Sequence, residues 1–236
     1  MTRTEWVYGL SAATANIVGA LAVTSGRRWS VTALDRLLAF AAGFLLSVSF
    51  VELVPEALER GGREAAIAAL VAYVLVHLTQ HTLGRHFHFG EETHPVSAIV
   101  SRSALIGLML HTFVDGVAVA SGLLVNGAVG ALVFAGVLVH KFPEGLAISS
   151  LFLAAGASRA TAILAAGALG MATLLGVVLT DAVGVLRTYG LAAAAGVTIY
   201  VGASNLVPEL QRRGGWGTPM SFVAGCAAFF LARAAL

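Results

Sequence analysis

Eight apolar stretches, separated by short polar breaks, constrain this chain more than any other feature. They cover roughly 6–25, 34–58, 65–83, 103–124, 128–152, 160–181, 189–210 and 218–235. About 20 apolar residues suffice to cross the hydrocarbon of a bilayer. Lipid offers the backbone no hydrogen-bond partner, so each crossing segment must be helical. Composition points the same way: 58% of residues are hydrophobic and 11% charged, against about 25% charged in a soluble domain. The expected fold is an all-α membrane protein of eight transmembrane helices. Residues 1–236 are read as a single integral membrane domain, with a histidine-bearing loop at 84–101.

The first stretch, Trp6 to Thr24, is long for the apolar core of a cleaved leader, and no small-residue cleavage site precedes Arg27-Arg28. It is therefore counted as a span. The net charge is +2, and there is no basic tract interleaved with aromatics, which argues against a nucleic-acid partner. The one cysteine, Cys226, excludes an internal disulfide and a thiolate metal cluster.

An even number of spans puts both termini on one side. With the N-terminus outside, the inner loops hold Arg27, Arg28, Arg36, Arg85, Arg102, Arg159, Arg212 and Arg213, and the outer ones Arg3, Arg60, Arg63, Arg187 and Arg233. Eight against five favours this orientation, because cytoplasmic loops are enriched in arginine and lysine.

Two internal repeats are present. Residues 41–56, AAGFLLSVSFVELVPE, match 194–209, AAGVTIYVGASNLVPE, at a constant offset of 153. These are the second and seventh spans, which run in opposite directions. An element repeated with opposite orientation is the mark of an inverted-topology transporter. The expected arrangement is 3+2+3: helices 1–3 and 6–8 as inverted repeats around central helices 4 and 5.

The second repeat lies in those central helices. His111, Phe113, Asp115 and Gly116 recur 29 residues later as His140, Phe142, Glu144 and Gly145. Gly107, His111 and Asp115 fall at i, i+4, i+8, as do Gly136, His140 and Glu144, so each set lies along one helix face. Ionisable groups in mid-span cost about 2.5–3.5 kcal/mol each on insertion scales, which makes two matched clusters a functional signal. Small residues follow each cluster and let two backbones approach closely. Helices crossed at these points would bring two imidazoles and two carboxylates together. Two nitrogens and two oxygens suit Zn²⁺, with Fe²⁺, Co²⁺ or Mn²⁺ as further candidates. Pro143 has no N–H, which frees the carbonyl of Val139 and is expected to open the helix locally.

The HTFVDG and HKFPEG motifs in adjacent spans of an eight-helix chain resemble the ZIP (Zrt/Irt-like) family of divalent-metal transporters. The resemblance covers most of the chain, including the Pro-Glu ends of spans two and seven and the histidine-bearing loop. It implies movement of zinc and related metals into the cytoplasm, with His111, Asp115, His140 and Glu144 as ligands of the transport site. It also implies an elevator-like motion, helices one, four, five and six carrying the metal past a scaffold of two, three, seven and eight. A plasma (inner) membrane location follows, with the N-terminus extracellular or periplasmic.

Many family members hold a second, adjacent metal. Here the corresponding positions are Thr112 and Lys141, and span six has no acid between 160 and 180, only Thr173 near the expected depth. Lys141, the only lysine in the chain, would place an ammonium in the second position. A mononuclear site is expected. A structural ion pair of Lys141 with Asp115 or Glu144 is the plainer alternative.

Glu52 and Glu56 sit at the outer end of span two, and their repeat partners Asn205 and Glu209 at the inner end of span seven. Glu52, Asn205 and Glu209 are candidates for entrance and exit, since acids at a mouth concentrate cations. His86, His88 and His94, beside Glu91 and Glu92, could bind metal in the loop. Small-residue faces admit a homodimer.

Three function classes remain in play. A carrier for divalent cations, zinc first and Cd²⁺ among the competitors, needs no ATP site, and no GxxxxGK[ST] motif is present. An intramembrane metal-dependent hydrolase would need an open coordination position and a general base; there is no HExxH motif and no nucleophile beside the histidines. A His/carboxylate-lined channel is the third. The carrier, and not an enzyme, is the expectation.

Overall fold

The structure is a computed structural model that describes residues 2–25, 30–83, 98–206 and 215–236. In chain order its helices are α1 (Arg3–Thr24), α2 (Val31–Val48), a π-helical segment (Ser49–Leu53), α3 (Val54–Leu83), α4 (Ala98–Val125), α5 (Gly127–Ala154), α6 (Arg159–Ala182), α7 (Gly184–Ile199), a second π-helical segment (Tyr200–Leu206) and α8 (Gly217–Ala235). No strand occurs among the described residues. Four helices start on a side-chain cap: Thr2, Ser30, Asn126 and Ser158 accept from the backbone N–H of Glu5, Ala33, Val129 and Thr161. Each cap satisfies a donor that the first turn leaves without an intrahelical partner.

Seven helices among the described residues are long and apolar enough to cross a membrane. The protein is thus an all-α membrane protein. One of the seven, Thr32–Thr79, is a 48-residue run that covers the second stretch read from the sequence and most of the third. It is not one straight rod. Gly62 has φ 50° and ψ −131°, a left-handed conformation that glycine adopts without steric cost, and it divides α3 into two helices.

The two π-helical segments occupy equivalent places in the repeated sequence: adding 153 to 49–53 gives 202–206, inside Tyr200–Leu206. Pro55 explains the first. It has no N–H to close an α-helical bond onto Val51, and the ladder widens so that the N–H of Val54 reaches the carbonyl of Ser49. Pro143, by contrast, does not interrupt α5, which stays α-helical from Gly127 to Ala154. The missing N–H of Pro143 leaves the Val139 carbonyl without that bond, but the helix does not widen into a π-helical segment as it does before Pro55.

Glycines set the packing. A Cβ added at Gly145 would lie 2.0 Å from the carbonyl oxygen of Asn16, and one at Gly19 2.2 Å from that of Phe142. The backbones of α1 and α5 therefore touch, each presenting a glycine to the other. The α4–α6 pair does the same: Gly116 meets the carbonyl of Thr173 and Gly176 that of Phe113, both at 2.0 Å. In the α2–α8 pair Gly43 meets Phe222 at 2.1 Å and Gly225 meets Phe40 at 2.0 Å, and in the α3–α7 pair Gly196 meets Ala69 at 2.0 Å. Such approach suits helices in lipid, where packing rather than hydrophobic expulsion drives association. These glycine contacts are all made within one chain. Outward faces carry exposed apolar side chains such as Leu70, Ile99, Leu164, Phe230 and Leu231.

Contacts between α2 and α5, and between α4 and α7, are of another kind. A Cβ at Gly136 would meet the side chains of Leu45 and Phe44, and one at Gly190 those of Ser121 and Val117. Side chains, unlike backbone carbonyls, can rotate aside.

Candidate metal centre

α4 and α5 pack along each other and carry the two repeated clusters face to face. His111 and Asp115 are one turn apart on α4, and His140, Lys141 and Glu144 lie on α5. All five are buried, Lys141 completely, at 0% exposed. One ligand atom from each of His111, Asp115 and His140 fits within 4.8 Å of the others. The rings of His111 and His140 lie 5.6 Å apart between centroids, tilted by 34°. His140 is held by a hydrogen bond of 3.0 Å between Nδ1 and the carbonyl of Gly136. This leaves Nε2 facing the cluster, as a backbone carbonyl commonly does for a metal-binding imidazole.

Asp115 Oδ2 is the focus. His140 Nε2 lies 3.2 Å from it, His111 Nε2 3.4 Å, and Lys141 Nζ 2.6 Å. Lys141 Nζ also donates to Glu144 Oε2 at 2.7 Å. The lysine therefore pairs with both acids at once. These are short, charge-assisted bonds. Glu144 falls outside the tight His-Asp-His group, and the ammonium holds one of its oxygens. The other oxygen, Oε1, and His111 Nδ1 are buried with no hydrogen-bond partner among the described residues. A buried polar atom left so costs about 1–3 kcal/mol, so the cluster is not fully satisfied by protein alone.

Asn16 is not among the residues that the sequence singles out. Asn16 is fully buried on α1. With its amide nitrogen turned toward α5, it donates to the carbonyl of Lys141 at 2.6 Å and to Glu144 Oε2 at 3.3 Å. It sits where the α1 backbone touches Gly145. Thr173 of α6 takes the matching place against Gly116 and its hydroxyl bonds back to Leu169 at 3.3 Å. The signal for Asn16 was its depth in an otherwise apolar helix.

The remaining candidates lie elsewhere. Glu52 is in the first π-helical segment, its Oε1 2.6 Å from Arg233 Nε of α8 but without the alignment of a hydrogen bond. Glu56 pairs with Arg60 one turn on, at 2.6 Å, and serves as a helix-surface acid. His77 packs edge-on against Tyr200 at 5.6 Å, near the Tyr73–Ser204 hydrogen bond of 2.8 Å. Glu209, His86, His88, His94 and the side chain of Asn205 lie outside the described residues.

A family model described as "ZIP Zinc transporter" matches residues 76–231, which include both motif-bearing helices. Curated relatives extend the likeness over nearly the full length. The zinc transporter ZupT of Enterobacter sp. (strain 638) is 32% identical over 217 residues, 86% of this chain and 84% of the relative. ZupT of Salmonella heidelberg (strain SL476) is 30% identical over the same lengths. The chain therefore belongs to the ZIP zinc transporter family, and it is a multi-pass membrane transporter rather than an enzyme.

Proposed function

We propose that this protein carries divalent transition-metal cations, zinc foremost, across the plasma membrane into the cytoplasm. The site is His111, Asp115, His140 and Glu144, in the middle of the bilayer. The observation that carries this reading is the convergence of two imidazoles and a carboxylate, all buried, within 4.8 Å. A bound cation would give His111 or Glu144 Oε1 the partner that the protein does not. For Glu144 to join, Lys141 must release it. Zinc, a borderline ion, accepts this mixed nitrogen and oxygen set, and Fe²⁺, Mn²⁺, Co²⁺ and Cd²⁺ are competitors. The relatives' names, zinc transporters, support the same cargo.

The eight-span, 3+2+3 topology belongs to this reading. The 48-residue run would extend about 72 Å if straight, more than twice the ~30 Å hydrocarbon, so it makes two crossings turned at Gly62. Exchanging helix 1 with 6, 2 with 7, 3 with 8 and 4 with 5 turns the α1–α5 contact into α6–α4, and α2–α8 into α7–α3. The glycine contacts follow that exchange: Gly145 on Asn16 answers Gly116 on Thr173, and Gly43 answers Gly196. An inverted repeat is the simplest account. N-out orientation rests on the arginine distribution. A negative interior then favours import by about 2.3 kcal/mol per charge per 100 mV, twice that for a divalent ion.

Backbone-to-backbone glycine contacts join α1 to α5, α4 to α6, α2 to α8 and α3 to α7. They support two bodies: a carrier of helices 1, 4, 5 and 6, and a scaffold of helices 2, 3, 7 and 8. Only the carrier holds the site. The site is mononuclear, because the position of a second metal is taken by Lys141. Glu52 is a candidate entrance residue, ion-paired with Arg233.

Purified protein in liposomes containing a zinc-sensitive dye tests the core of this. Saturable zinc entry is expected, inhibited by Cd²⁺ and lost in His111→Ala and Glu144→Ala. Flux that rises linearly with zinc, or that survives either substitution, would sink the carrier reading. Metal analysis should give one bound zinc per chain; two would overturn the mononuclear site.

A further inference from the structure

Lys141 is the one group in the cluster whose chemistry the transport site does not use. It is the only lysine in the chain, it is 0% exposed, and its ammonium is bonded to Asp115 and Glu144 at 2.6 and 2.7 Å. Those are the two acids that would bind the cargo. Its Nζ thus stands between both carboxylates, where a cation must come to reach them. On the carrier reading just proposed, on which this inference rests, the helices must cross twice in each cycle, once loaded and once empty.

We infer that Lys141 is a tethered counter-charge for the empty site, offsetting one of its two carboxylates on the return crossing and releasing Asp115 and Glu144 to the metal on loading. Charge bookkeeping shows why one fixed cation matters. With Asp115 and Glu144 ionised and Lys141 protonated, the empty site carries a formal −1. A divalent ion changes this to +1. Without the lysine the same two states are −2 and 0. The loaded crossing is then no harder, while the empty one must carry two uncompensated carboxylates through the apolar layer. Uncompensated charge is what a bilayer interior resists most. The remaining groups on the facing helices do not replace the ammonium. His111 and His140, both with Nε2 toward the Asp115 oxygen, are counted as the neutral imidazoles that a metal needs, and Asn16 offers Glu144 only a neutral amide at 3.3 Å.

The two crossings separate in vesicles. Net zinc uptake into zinc-free liposomes requires the empty return. Exchange of external ⁶⁵Zn against internal unlabelled zinc at equal concentration returns the carrier loaded. The readout is the ratio of exchange to net uptake, which is independent of how much variant protein is folded and inserted. In Lys141→Met that ratio should rise about tenfold or more over the native protein, since one unpaired mid-membrane charge is added to the return step alone. Lys141→Gln, which keeps a hydrogen-bonding chain without the charge, should behave alike and serves if the Met variant does not fold. An unchanged ratio, with both fluxes reduced equally or both intact, overturns the inference and leaves Lys141 as a shape-giving ion pair. Native protein that shows no exchange at all overturns the carrier reading itself, so the two failures are told apart.

Discussion

Asp115 is the most heavily engaged side chain in the cluster, one oxygen receiving Lys141, His140 and His111 at 2.6, 3.2 and 3.4 Å. Asp115→Asn keeps its volume and removes its charge. Even outer partners of a metal ligand are worth ~10–100-fold in affinity, so loss of this ligand should reduce zinc flux by at least about a hundredfold. Flux in dye-loaded liposomes, with a thermal melt to show that the variant is folded, checks it. Asn16→Ala removes the donor to Glu144 Oε2 and to the Lys141 carbonyl and should weaken zinc affinity by roughly 10–100-fold, the range for partners of a ligand. Flux at saturating zinc should suffer less, which a concentration series distinguishes. The four proposed ligands were legible in the sequence because ionisable side chains in an apolar span are costly and because they repeat at 29 residues. Asn16 was not. A neutral amide is cheaper to bury, and its aim at α5 depends on the backbone contact at Gly145, which no helical periodicity contains.

Gly107 and Gly116 lie on the same helix, and the sequence pattern treats them alike. Packing separates them. A Cβ at Gly107 meets nothing within 4 Å, whereas one at Gly116 would lie 2.0 Å from the carbonyl of Thr173. Replacing a helical glycine by alanine gains about 0.5–1 kcal/mol of propensity. Forcing a methyl into a filled contact costs about 1–3 kcal/mol. Gly107→Ala should therefore be neutral to stabilising and Gly116→Ala destabilising, as thermal melts of the purified proteins would record. Some helix limits match the apolar stretches closely, as α5, Gly127–Ala154, does 128–152, and others do not, as α4, Ala98–Val125, against 103–124. The π-helical segments were not legible. Pro55 announces a disturbed ladder but not its form, as the undisturbed passage of α5 through Pro143 shows. The kink at Gly62 was legible only as the polar break between two stretches, since its positive φ is a property of the chain path.

Two kinds of helix contact support the proposed division into carrier and scaffold. Where glycine meets a carbonyl oxygen at 2.0 to 2.2 Å from an added Cβ, the two backbones touch, and the proposed motion keeps such pairs together. Where side chains meet, as α4 meets α7 at Ser121 and Gly190, sliding requires only rotamer changes. Motion between the two bodies should therefore run along the α4–α7 and α2–α5 contacts and leave the glycine contacts intact. Disulfides distinguish the two. In a Cys226→Ser background, Ser121→Cys with Gly190→Cys places two Cβ atoms 3.9 Å apart, within the usual disulfide range of ~3.5–4.5 Å, and ties carrier to scaffold. Ala13→Cys with Gly170→Cys, at 3.0 Å between Cβ atoms, closes after a small backbone shift and ties α1 to α6 inside the carrier. Oxidation should stop zinc transport in the first pair, reduction should restore it, and transport in the second pair should continue through both treatments. Continued transport with the Ser121–Gly190 bridge formed, its formation verified by mass spectrometry, would mean that the site reaches both sides of the membrane without relative motion of the two bodies.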